Sequence, residues 1–143
     1  MPTSKAEAVW EGGSREGKGA ITTGSGAVAV AYTWQARFEE APGTNPEELL
    51  GAAHAGCFSM ALAAGLTRAG HPPTRIRTTA KVKIESQATG GWKITNIHLD
   101  CAGEVPGITA DDFQQAAEGA KKGCPVSQAL AATDITLSAR LLA

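Results

Sequence analysis

Between residues 75 and 86 apolar and polar positions alternate, with Ile76, Ala80, Val82 and Ile84 on one parity, which is the period of a half-buried strand. Ala88-Thr89-Gly90-Gly91 reads as a turn, and Trp92 to Cys101 returns as a second strand. Its apolar phase slips between Ile94 and Ile97, which predicts a bulge near Thr95. Thr133 to Leu141 closes the chain as a strand with Ile135, Leu137, Ala139 and Leu141 on one face. Earlier, Ala6–Trp10, Gly19–Thr23 and Gly26–Ala31 read as short strands between glycine-rich turns. Their few large apolar groups need cover from the rest of the chain or from a partner subunit.

A different period takes over at Thr44-Asn45-Pro46-Glu47-Glu48. A side-chain cap, a proline at the first helical position and two carboxylates at the positive end of the dipole predict a helix from Pro46 to about Ala69. Gly70 and Pro72-Pro73 end it. Small residues lie on several of its faces (Gly51, Ala52, Ala55, Gly56, Ala63, Ala64), so a central, buried helix is expected. Thr109 opens a second helix, with Asp111 and Asp112 at its start and Lys121 and Lys122 at its end. A short helical turn follows from Val126 to Leu130. These elements predict an α+β fold, an antiparallel sheet with two main helices, in a single domain spanning residues 1–143.

Charge and cysteine usage narrow the chemistry. With 13 basic and 14 acidic side chains interspersed, the chain has no basic block of the kind that binds nucleic acid. The polar N-terminus and the lack of an apolar run of about 20 residues argue against a secretory signal or a membrane span, so a cytoplasmic protein is expected. In that compartment Cys57, Cys101 and Cys124 are read as free or redox-active thiols rather than structural bridges. No Cys-x-x-Cys or His-x-x-x-His spacing supports a metal site.

Cys57 lies on a helix surface with Leu50, His54 and Met60, where it is either a small core residue or a reactive thiol. Cys124, in Gly123-Cys124-Pro125, occupies an N-cap where free backbone N–H groups favour a thiolate. A second thiol can close a sulfenic acid into a disulfide, so the two cysteines read as a redox pair. Arg37, at the end of the N-terminal strand region, is the cation available to hold a thiolate, and Glu47 or Glu48 is available to orient it. On an unbroken helix Glu47 and Cys57 are ~15 Å apart, so a kink near Gly51, converging long side chains or a moving loop must reconcile these roles. His54 is read as a hydrogen-bonded core or pocket residue rather than the base of a cysteine-histidine hydrolase, and Cys101 as packing.

The stretch Gly43-Thr-Asn-Pro-Glu-Glu-Leu-Leu-Gly-Ala-Ala-His-Ala-Gly-Cys57-Phe-Ser-Met-Ala-Leu62, with Lys122-Gly-Cys124-Pro-Val-Ser-Gln-Ala-Leu130, resembles the OsmC/Ohr family of thiol peroxidases, and its OsmC branch more closely. Trp10-Glu-Gly and Val105-Pro-Gly extend the resemblance over nearly the whole chain. It implies a cofactor-free, metal-free hydroperoxide reductase of the osmotic and oxidative stress response. The long helix would be buried in an intertwined homodimer. Cys57 would be the peroxidatic and Cys124 the resolving cysteine, Arg37 the activating cation and Glu47 its partner. Phe38, Leu50, Phe58 and Met60 are candidate walls of an apolar pocket for organic hydroperoxides. A small dithiol or a lipoylated protein would be the reductant. The alternative is a redox sensor or interaction protein with a Cys57–Cys124 switch and no sustained turnover.

Overall fold

The computed structural model describes residues 1–143, which divide into two compact units, 1–49 and 50–143. In the first, β1 (Ala6–Glu11), β2 (Lys18–Thr23) and β3 (Ala29–Tyr32) form an antiparallel three-stranded sheet in the order β1-β2-β3. Gly19 on β2 has no substitute. A Cβ there would run into the Tyr32 ring and come within 2.8 Å of Trp10, two aromatic rings whose centroids lie 5.3 Å apart. β3 is shorter than the pattern predicts, because Gly26, at φ +76°, still belongs to the preceding turn.

Arg37 does not end a strand. It sits in the last turn of a five-residue helix, α1 (Trp34–Phe38), whose N-cap Thr33 accepts a hydrogen bond from the Ala36 N–H at 3.0 Å. One helical turn is too short to display a period, which is why the hydropathy pattern conceals it. Helix α2 (Pro46–Arg68) starts at the predicted residue, capped by the Asn45 Oδ1, which accepts the Glu48 N–H at 2.8 Å.

In the second unit α2 is joined by β4 (Arg75–Ser86), β5 (Trp92–Glu104), α3 (Ala110–Gly123), α4 (Pro125–Ala129) and β6 (Asp134–Leu141). The strands form a second sheet in the order β4-β5-β6. Lys83 pairs with Asn96 and Ile84 with Ile94, which leaves Thr95 as the bulged residue, in agreement with the phase slip. The expectation of a wholly antiparallel sheet is corrected at β6, which runs parallel to β5. Parallel neighbours need a long crossover, and α3 with α4 supplies it.

The core of this unit gathers Phe58, Leu62 and Leu66 from α2, Ile97, Leu99 and Cys101 from β5, and Phe113, Ala117 and Ala120 from α3. Gly103 lets α3 approach the sheet, since a Cβ there would lie 2.5 Å from the Phe113 ring. Within the second unit α2 is buried along a stripe at Gly51, His54, Phe58, Leu62 and Leu66, while Ala52, Ala53, Gly56, Met60 and Ala64 are exposed. Contrary to the sequence expectation, α2 is long and apolar enough by composition to cross a bilayer. Its buried histidine and its packing into the core of the second unit identify it instead as a core helix.

Candidate active site

In the first unit the Arg37 guanidinium is held by one carboxylate in two-pronged fashion. Nε donates to both Glu47 oxygens at 3.1 Å and Nη2 donates to Oε1 at 2.6 Å. Of the two glutamates the sequence offers, geometry selects Glu47, which is buried, while the Arg37 side chain keeps about a third of its surface exposed. A paired, planar fork of this kind fixes direction as well as charge. The Glu48 carboxylate instead accepts the Thr44 hydroxyl at 2.9 Å. The start of α2 is tied to α1 through Asn45, whose Nδ2 donates to the Ala36 carbonyl at 3.1 Å. Beside Arg37 opens a cavity of about 280 Å³ walled by Trp10, Tyr32, Trp34 and Phe38. Phe38 is the one of these four that the sequence singles out as a pocket residue. The Arg37 guanidinium carbon lies 5.2 Å from the Phe38 ring centroid.

In the second unit Cys124 ends α3 and caps α4. Its sulfur accepts the Ser127 N–H at 3.2 Å, so the thiol fills the place that a serine or aspartate takes at most N-caps. Pro125 takes the first helical position, as predicted. The Cys57 and Cys124 thiols face each other within interaction range, and both are free. Cys57 is half-buried and Cys124 fully buried. Burial pushes the Cys57 thiol up, the Val126 N–H at the start of α4 pulls it down, and the facing Cys124 thiol pushes it up again. Burial likewise pushes up Cys101, which lies in the core as the sequence suggests.

The other predicted pocket residues separate. Phe58 is fully buried in the core and offers no surface to a ligand, which corrects its expected place in a pocket wall. Leu50 packs against the same core, and Met60 is open to solvent with 76% of its surface exposed. His54 is fully buried, and its Nε2 lies 2.7 Å from the Ser127 Oγ. Ser127 Oγ in turn accepts from the Cys124 thiol at 3.2 Å. His54 Nδ1 has no hydrogen-bond partner in the protein, an arrangement that costs about 1–3 kcal/mol for a buried polar group. Burial also lowers the His54 pKa and keeps the ring neutral. Sequence reasoning passes over Ser127, although its place three residues after a capping cysteine signals contact with that side chain.

A family model described as OsmC-like protein matches residues 39–138. The chain belongs to the OsmC family. A relative in Escherichia coli K12, named Peroxiredoxin OsmC, is 49% identical over 138 residues, covering 96% of this chain and 95% of its own. Among solved structures, the organic hydroperoxide resistance protein OsmC of Legionella pneumophila superposes with a TM-score of 0.77 at 22% identity, covering 98% of both chains. OhrB of Bacillus subtilis, also titled an organic hydroperoxide resistance protein, gives 0.72 at 24% identity over 95% of this chain and 98% of its own. At these identities the two structures establish the OsmC fold.

Proposed function

We propose that this protein is a thiol-dependent peroxidase that reduces organic hydroperoxides, and hydrogen peroxide less well, to alcohols and water. The facing pair of free thiols, one half-buried and one buried, carries this reading. It is supported by 49% identity to Peroxiredoxin OsmC across nearly the full length of both chains. In the cycle the Cys57 thiolate attacks one peroxide oxygen and the O–O bond breaks. The departing alkoxide takes a proton to become the alcohol, and Cys57 is left as a sulfenic acid. The Cys124 sulfur then bonds to Cys57 as the S–O bond breaks, releasing water and forming the disulfide. A small dithiol or a lipoylated protein restores both thiols by exchange. Arg37, oriented by Glu47, is the cation assigned to the thiolate and the departing oxygen in this reading. Phe38, Leu50 and Met60 are the side chains assigned to the substrate's apolar tail, and for Phe38 the aromatic cavity that it lines supports the assignment.

Residues 1–143 act as one OsmC-like domain in the cytoplasm, where thiols are kept reduced. The exposed small-residue face of α2 and the exposed side chains of Val9, Trp10 and Met60 suit a homodimer. Sedimentation velocity is expected to give twice the 14.6 kDa chain mass, and a monomer at micromolar concentration would remove the dimer from this reading. The activity itself is tested by following cumene hydroperoxide and hydrogen peroxide consumption with dihydrolipoate as reductant. Many equivalents per chain are expected, faster with the organic peroxide. Consumption of a single equivalent followed by a stall would point to a redox switch instead.

A further inference from the structure

The second unit contains a buried chain of hydrogen bonds that the peroxidase cycle does not yet use. It runs from the Cys124 thiol to Ser127 Oγ at 3.2 Å and from Ser127 Oγ to His54 Nε2 at 2.7 Å. The Ser127 hydroxyl has one hydrogen. While it accepts from the thiol, that hydrogen points to His54 Nε2, so the ring carries its own proton on Nδ1, the nitrogen with no partner in the protein. His54, Ser127 and Cys124 are all buried, so the link from sulfur to imidazole runs through the protein interior. A histidine serving only as packing would gain more by satisfying both nitrogens.

We propose that Ser127 and His54 form a proton relay for Cys124, removing its proton as it attacks oxidised Cys57 and returning it when the disulfide is reduced. This rests on the peroxidase reading for its place in the cycle, but the relay acts on any disulfide formed at Cys57. In the forward step the Cys124 S–H bond breaks and its proton passes to Ser127 Oγ. The original Ser127 hydrogen passes to His54 Nε2, and the Cys124 electron pair forms the bond to Cys57. With a sulfenic acid, the Cys57 S–O bond breaks and the hydroxide leaving half-buried Cys57 takes a proton from solvent to become water, while the proton from Cys124 stays on His54. Cys124 is oxidised and Cys57 reduced, and no other redox partner is required. The same burial that holds His54 neutral makes it a weak base, able to hold the proton briefly and to give it up. Ser127 touches the reacting sulfur. His54 acts through Ser127 and is a positioning residue.

The test uses the full protein and Ellman's reagent, 5,5′-dithiobis(2-nitrobenzoate). The more accessible Cys57 reacts first and releases one equivalent of thionitrobenzoate, and Cys124 then displaces the second by closing the disulfide. In the Ser127→Ala variant the first release is expected at the wild-type rate and the second at least ~10-fold slower. Ser127→Thr, which keeps the hydroxyl, is expected to restore the second release. His54→Gln, which keeps a polar group but takes no proton, is expected to stay slow with thermal stability within a few degrees of wild type. A second release as fast in Ser127→Ala as in wild type overturns the relay, as does a wild-type protein that releases only the first equivalent. Failure to form a sulfenic acid with cumene hydroperoxide would instead overturn the peroxidase reading and leave this exchange measurement intact.

Discussion

Cys57→Ser is expected to lower the turnover of organic hydroperoxide by at least ~1,000-fold, equivalent to about 4 kcal/mol of transition-state stabilisation. A serine oxygen is a far poorer nucleophile at neutral pH, and it has no counterpart of the sulfenic acid to pass on. The two remaining thiols offer no substitute. Cys101 is fully buried on β5 with its pKa pushed up by that burial, and Cys124 is fully buried at the N-cap of α4. Neither presents a sulfur to a substrate in solution. Steady-state assays with cumene hydroperoxide and dihydrolipoate, run beside a circular-dichroism melt, check this. A folded Cys57→Ser protein that retains a tenth of wild-type turnover would show that the peroxide is reduced elsewhere.

What the sequence discloses follows the range of the interaction concerned. The caps at Asn45, Thr109 and Cys124 and the bulge at Thr95 are set by chemistry within a few residues, and each lies where the pattern places it. The direction of β6 is different. Alternation at Ile135, Leu137, Ala139 and Leu141 names a buried face but is the same whichever way the strand runs, and only the α3–α4 crossover makes the pairing parallel. The choice of Glu47 over Glu48 also depends on three-dimensional placement, since both stand beside the same helix start. Proximity to Cys57 suggests Phe58 as a pocket wall, yet adjacent residues on a helix point about 100° apart, and Phe58 falls on the core stripe. The His54–Ser127 contact joins residues 73 positions apart, beyond the reach of any periodicity.

Cys124→Ala is expected to separate the two halves of the cycle. Sulfenic acid forms at Cys57 in a single fast turnover and persists, and consumption stops near one equivalent per chain because nothing within reach condenses with it. Steady-state turnover with a dithiol is expected to fall at least ~100-fold. Trapping with dimedone and intact-protein mass measurement read the intermediate. The pH dependence carries a further sign. The facing Cys124 thiol is one of the causes that raise the Cys57 pKa, after burial. Removing it lowers that pKa, so at a fixed pH below it a larger fraction of Cys57 is thiolate. The curve of initial peroxide reaction rate against pH is therefore expected to move to lower pH in Cys124→Ala. A curve displaced to higher pH would mean that Cys124 assists ionisation of Cys57 instead of opposing it. A variant that keeps cycling at the wild-type rate would remove Cys124 from the resolving role.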